Sequence, residues 1–302
     1  MTYSIVARDP ETGELAMGSQ SHFFGVGRLV GWLEPGVGAI ATQAFVNVDY
    51  GPAGIAQLGS GASAQEVLDA LLEGDELREY RQIGIVDARG GSAHFTGSHC
   101  VPAAGGSAGD GVAVQGNMLA SDRVHESMLS AFQAATGTVA DKVLAAMRAA
   151  EDAGGDARGS QSAVLKSVSG TRSATPWQET RIDLRVDDHP DPIGEIERLL
   201  PIQRAFDAVG GVIFTPGLML GPYEGVSEER LEETLAMLRA AEGALGDNLE
   251  AAFWRATLLA RAGRSSEAES LYASVFERGP HLAAYRDSIA LTGFLDGTDY
   301  VR

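Results

Sequence analysis

The sequence predicts an α+β chain, in which a layered domain with two sheets between helices precedes a small all-α C-terminal domain. Three observations lead there. Two strand-like runs at the start flank a turn-forming hexapeptide. Strand-like and helical segments then alternate as far as Ile193, and beyond it the periodicity is helical only.

Residues 3–8 and 15–20 enclose DPETGE, whose aspartate, proline and glycine suit a tight turn, so they form a hairpin. GVGAIATQAF (36–45) is small and apolar enough for a buried strand, punctuated by Gly51 and Pro52. Across 53–77, Ile55, Leu58, Val67, Leu68, Leu71 and Leu72 recur at helical spacing, which predicts two helical pieces split near Gly59 and Gly61. RQIGIVDA and SAHFTGS, joined by Arg89, Gly90 and Gly91, make a second hairpin. GVAVQGNML reads as a strand ending in a sharp turn at Gly116 and Asn117. Helices are expected over 121–135 and 139–153, stopped by Gly154 and Gly155, and QSAVLKSVS and TRIDLRVDD complete the strands.

Past Ile193 a helix over 194–209 leads into the strap GGVIFTPGLMLGPYEGVS. The domains are therefore drawn as 1–206, a linker over 207–226, and a helical domain over 227–302. Ser227 is placed to cap a helix whose first turn holds Glu228 and Glu229, which favour a helix N-terminus. AFWRATLLARAGRSSEAESLYASVFERGP resembles one tetratricopeptide unit, with paired helices, a glycine between them and a proline afterwards. An apolar face built from Phe253, Trp254, Leu258 and Leu259 is expected to serve docking or dimerisation.

A net charge of −18 repels phosphate backbones and anionic lipid, so neither nucleic acid nor membrane is expected as a partner. No apolar stretch approaches a membrane-spanning length and no secretory pattern opens the chain, so the expected location is the cytoplasm. Cys100, the single cysteine, excludes an intrachain disulfide and a cysteine-based zinc site. Asp187, Asp188, His189 and Asp191 crowd together, but Pro190 and Pro192 favour a rigid turn with capping carboxylates over a metal.

The chemistry concentrates at the start of the chain. Thr2 follows the initiator methionine, and once that residue is removed it carries a hydroxyl beside a free α-amine. The amine titrates at about 7.7–8.0, so its neutral form can take the hydroxyl proton while the oxygen attacks a carbonyl. A strand beginning at once after Thr2 holds such a nucleophile rigidly. Ser4 points to the same face of that strand and serves as a supporting hydrogen-bonding group. Asn117 is the candidate oxyanion donor, with Gly116 letting the backbone turn; the plainer reading is that the pair only makes a turn. Ser21 and His22 close the second strand of the hairpin beside Thr2, with His22 either a proton shuttle or a structural histidine. Gln43 and Arg158 suit a substrate's amide and carboxylate groups, or equally structural bonds.

TYSIVARDPETGELAMGSQSHFFGVG, GVGAIATQAFVN, YGPAG, VQGNML, GGDARGSQSA and DLRVDDHPDP together resemble the bacterial domain-of-unknown-function family 1028, assigned to the Ntn-hydrolase superfamily, over Thr2 to about Phe206. The resemblance implies a four-layer αββα sandwich of the Ntn-hydrolase type. The helix followed by GGDARGSQSAVL is similar to the proteasome segment in which an aspartate supports the N-terminal threonine, which places Asp156 in that role. Asn117 looks like the asparagine of amidase-type Ntn hydrolases. Two departures stand out: Gly159 occupies the place of a serine, with Ser160 one step later, and no lysine precedes Lys142.

The function expected is hydrolysis of an amide or related C–N bond through an acyl-Thr2 intermediate. It needs no cofactor or metal, and the enzyme would act on a small-molecule or peptide-like substrate as a homo-oligomer. The alternative is an inactive binding or scaffold protein that keeps the fold and uses its C-terminal helices for a partner or glycan. That tail resembles a module labelled peptidoglycan-binding, a role the missing export signal argues against.

Overall fold

The structure, a computed structural model, describes residues 2–296 and 298. The chain divides at Arg198/Leu199 into two compact units. This division falls inside a helix and ahead of the expected boundary at residue 206. The helix, α5 (Pro192–Ile213), also continues through Gly210 and Gly211, where a strap was expected.

In the first unit, β1 (Thr2–Arg8) and β2 (Leu15–Ser21) form the expected hairpin. Its turn is closed by Asp9, whose Oδ1 accepts from the N–H groups of Glu11 and Thr12, and by Gly13 at φ +74°. Next come β3 (Gly31–Glu34), β4 (Gly38–Ala44), α1 (Tyr50–Gly59), α2 (Ala64–Glu73), β5 (Arg81–Asp87) and β6 (Ser92–Thr96). β7 (Gly105–Gly109), β8 (Val112–Asn117), α3 (Val124–Ala134), α4 (Val139–Asp152), β9 (Ser162–Val168) and β10 (Thr180–Val186) complete it.

Sequence reasoning missed two strands. β3 is too short to display alternation, and β7, GGSAG, has no side chains of strand propensity; each is held by pairing with a longer neighbour, β4 and β8 respectively. Helix α1 starts at Tyr50, ahead of the expected residue 53, because Pro52 falls in the first turn, where a missing N–H costs nothing. The sharp turn expected at Gly116 and Asn117 is also displaced. Both residues lie in β8, and the chain reverses at Met118, which adopts φ +53°.

Two antiparallel sheets result, one ordered β10-β9-β2-β1-β8-β7 and the other β3-β4-β5-β6. Helices α3 and α4 cover the outer face of the first and α1 and α2 that of the second, which gives the expected four layers, helix, sheet, sheet, helix. The period-2 alternation decides what each layer receives. Ile40, Ile83 and Ile85 pack with Val67, Leu68 and Leu71 of α2, while Val6, Met17, Ala41, Val86 and Ala113 fill the space between the sheets. The sheets approach closely at Gly84, where an added Cβ would sit 2.2 Å from the Gln115 Oε1.

The second unit holds α6 (Glu228–Leu245), α7 (Glu250–Arg261), α8 (Ser265–Arg278) and α9 (His281–Ala290). Ser227 caps α6 as expected, accepting from the Arg230 N–H at 3.2 Å. The α7 and α8 pair turns at Gly263, φ +76°, and is joined internally by Thr257 Oγ1 and Tyr272 Oη at 2.7 Å. The apolar face expected to dock a partner is instead the unit's own core, because Phe253, Trp254, Leu258 and Leu259 are all buried within it. The strap is fastened from inside. Arg261 donates to the carbonyls of Leu218 at 2.8 Å and Gly221 at 2.6 Å. Among the described residues, no helix is long and apolar enough to cross a membrane.

Candidate active site

β1 lies between β2 and β8 in the larger sheet, so Thr2 is flanked on both sides: it pairs with Asn117, and its Oγ1 donates to the Ser21 Oγ at 3.1 Å. Only 7% of Thr2 is exposed. The expected removal of Met1 lies outside the described residues. Thr2 lines a pocket of about 100 Å³ together with Ser21, Gln43 and Arg158, closed by the apolar side chains of Phe23, Val26, Leu29, Val30, Ala44 and Val46.

Alternation carries Ser4 and Val6 inward from the same face of β1 as Thr2. Beside β1 in the same sheet, β8 supplies Gln115 and Asn117, and across the gap β4 supplies Gln43 and β5 supplies Gln82, all buried. Gln43 Nε2 donates to the Thr2 carbonyl at 2.9 Å and to Gln82 Oε1 at 2.7 Å. Asn117 Nδ2 donates to the same two oxygens, at 3.5 Å and 3.0 Å. Gln82 Nε2 is anchored by the carbonyl of Gly116 at 2.8 Å and by Thr96 Oγ1 at 2.9 Å. Ser4 Oγ donates to Gln43 Oε1 at 2.6 Å and accepts from Gln115 Nε2 at 2.8 Å.

Gln43, Gln82 and Asn117 orient one another, since turning Gln82 over would set its donor against the donors of the other two, whereas Gln115 is held through its Nε2 and its buried Oε1 has no hydrogen-bond partner among the described residues. Gln82 and Gln115 were not singled out from the sequence. The available signal was a glutamine inside an otherwise apolar, fully buried strand.

Asp156 arrives on the loop after α4, which pairs back onto the segment following β8 through Leu119. Its buried carboxylate accepts from the His22 N–H at 2.9 Å and the Arg158 N–H at 2.8 Å, and holds the guanidinium of Arg158 through Nη2 at 3.2 Å. Asp156 thus meets the site through Arg158 and the residue after Ser21. The His22 side chain is exposed, and its backbone, rather than its ring, makes the bond to Asp156.

Gly116 serves by its carbonyl and by leaving room for the side chain of Leu119, 2.7 Å from where a Cβ would be. Of Ala44 and Met118, one follows Gln43 and the other Asn117, and both adopt positive φ, 70° and 53°. Such backbone costs of order 1–3 kcal/mol each and concentrates where side chains must be aimed.

On the far face of β1, the Tyr3 hydroxyl donates to Glu151 Oε1 at 2.6 Å, and Ser160 Oγ donates to Glu151 Oε2 at 2.5 Å. Burial, reinforced by the Glu151 charge, pushes the Tyr3 phenol up, so it stays a donor. The DDHPDP turn works as a cap: Asp191 Oδ1 accepts from the Gly194 N–H at 2.9 Å in the first turn of α5.

A four-layer α+β sandwich with a buried threonine opening its central strand beside a small pocket is the class that fold and site define. The chain belongs to the family of unknown function DUF1028, whose model matches residues 2–196. It is also similar to the crystal structure of protein SPO2555 from Silicibacter pomeroyi, assigned to DUF1028. That likeness has a TM-score of 0.60 and 32% identity, covering 68% of this chain and 85% of that one. No protein of curated function matches.

Proposed function

We propose that this protein is an Ntn-type hydrolase that cleaves an amide or related C–N bond through an acyl-Thr2 intermediate. The observation that carries the reading is the seat of Thr2, fixed between two strands with its carbonyl held by Gln43 and its hydroxyl at the wall of a pocket.

With Met1 removed, the α-amine of Thr2 accepts the hydroxyl proton as Oγ1 attacks the substrate carbonyl. The tetrahedral oxyanion collapses, the C–N bond breaks, and the amine product leaves with that proton. Water then hydrolyses the acyl-Thr2 ester and restores the hydroxyl. Asn117 donates to the oxyanion by exchanging its long 3.5 Å bond to the Thr2 carbonyl, while the shorter bond from Gln43 keeps Thr2 in place. Asp156 supports the site through Arg158 and the His22 N–H. In this reading the enzyme works in the cytoplasm as a homo-oligomer on a small-molecule or peptide-like substrate.

Intact-mass spectrometry before and after exposure to a β-lactone tests it. Loss of Met1 and a single adduct mapping to Thr2, absent from Thr2→Ala, is the expected result. Retained Met1 without an adduct sinks the hydrolase and leaves a binding protein with the same fold.

A further inference from the structure

We infer that the Thr2 pocket accepts a small substrate carrying a carboxylate and a short apolar group, the carboxylate seated on Arg158; as a statement about substrate, this rests on the hydrolase reading above. The pocket has two chemistries. Thr2, Ser21, Gln43 and Arg158 contribute polar groups, and Phe23, Val26, Leu29, Val30 and Val46 contribute the apolar wall. At about 100 Å³ it is small.

Arg158 is the charged residue of that lining, and its side chain is 40% exposed while that of Asp156 beneath it is fully buried. Asp156 grips the Nε and Nη2 edge of the guanidinium, so the plane of Arg158 is set before any ligand arrives. The same carboxylate also accepts two backbone N–H bonds, from His22 and Arg158, and these share its negative charge with the guanidinium. A cation held this way in a protein of net charge −18 gives local selection for an anion against the overall field. One planar fork suits a carboxylate, whereas a phosphate dianion calls for more donors and charge than a single arginine brings. The apolar wall opposite takes an aliphatic group but offers a second charge nothing to pair with.

The experiment is calorimetric titration of the full-length protein with 4-methylpentanoate and with 4-methylpentanamide, an acid and a neutral amide of equal size. The expected result is at least about tenfold tighter binding of the acid. Arg158→Gln should erase the preference, and Arg158→Lys should keep part of it because the charge remains without the fork. Circular dichroism of both arginine variants checks that they fold; if only the lysine variant does, an undiminished preference in it counts against the guanidinium. Equal binding of acid and amide, binding of neither, or a preference surviving in a folded Arg158→Gln overturns the inference. The two readings separate cleanly. Thr2 labelling without an acid preference removes the subsite and spares the hydrolase, and an acid preference without labelling does the reverse.

Discussion

The two ends of the space between the sheets are built from the same strands and bury opposite chemistries. At one end Val6, Met17, Ala41, Val86 and Ala113 fill the gap; two residues along β1, β4 and β8 come Ser4, Gln43 and Gln115, the last lying over Gly84 of β5, and Thr2, Gln43, Gln82 and Asn117 meet at the other end. The apolar end is held by non-directional contact and needs only the right volume. The polar end, apart from the unpartnered Gln115 Oε1, is held by donors matched to acceptors, so a single change at its hub strands several partners at once. A stable sandwich therefore carries at its edge a layer whose geometry is specified amide by amide.

The sharpest way to break that contrast is Gln82→Leu, which keeps the volume and removes the hub. It should cost about 3–4 kcal/mol in urea unfolding, since Gln43, Asn117 and the Gly116 carbonyl each lose a buried partner. At the apolar end Met17→Ala should cost about 2–3 kcal/mol, but Met17→Leu under about 1.5 kcal/mol, because volume is what matters there. A Gln82→Leu as mild as Met17→Leu would remove the distinction. Gly84→Ala should cost about 2 kcal/mol from its clash with Gln115, and adding Gln115→Ala should return about 1 kcal/mol in a double-mutant cycle.

The smallest effect concerns pH. Threonine, serine, glutamine and asparagine do not titrate in the acid range, so the polar layer should not contribute to acid unfolding. Away from it, the Arg81 guanidinium at 2.8 Å holds the Asp75 carboxyl down at about 2. Its folded value lies below the unfolded one, so the stabilisation is complete above about pH 4 and is lost as pH falls towards 2. Comparing urea unfolding at pH 5 and pH 2.5, Asp75→Asn should lessen the difference by about 1 kcal/mol, allowing for solvent screening.

Much of this was legible in the sequence. Alternation and turn chemistry located the β1–β2 hairpin, β5, β6 and the long helices, because those segments bury one face of a regular period. β3 and β7 were not legible, since their strand state comes from a partner rather than from their own residues. The site divided similarly. Thr2, Ser21, Gln43 and Arg158, which line one pocket, were all named from their positions in the chain. The bonding between them was hidden, because it depends on which residues of a second sheet face the first, a matter of register between segments far apart in sequence. The route of Asp156 through Arg158 and the exposure of His22 are of the same kind.

Gly84 and Gln115 sit on facing sheets, with the glutamine occupying the volume that a side chain at residue 84 would need. Such a pair should change as a unit. Across the family, a lineage that gains a side chain at the first position should have shortened the second, and the two columns of an alignment should drift together.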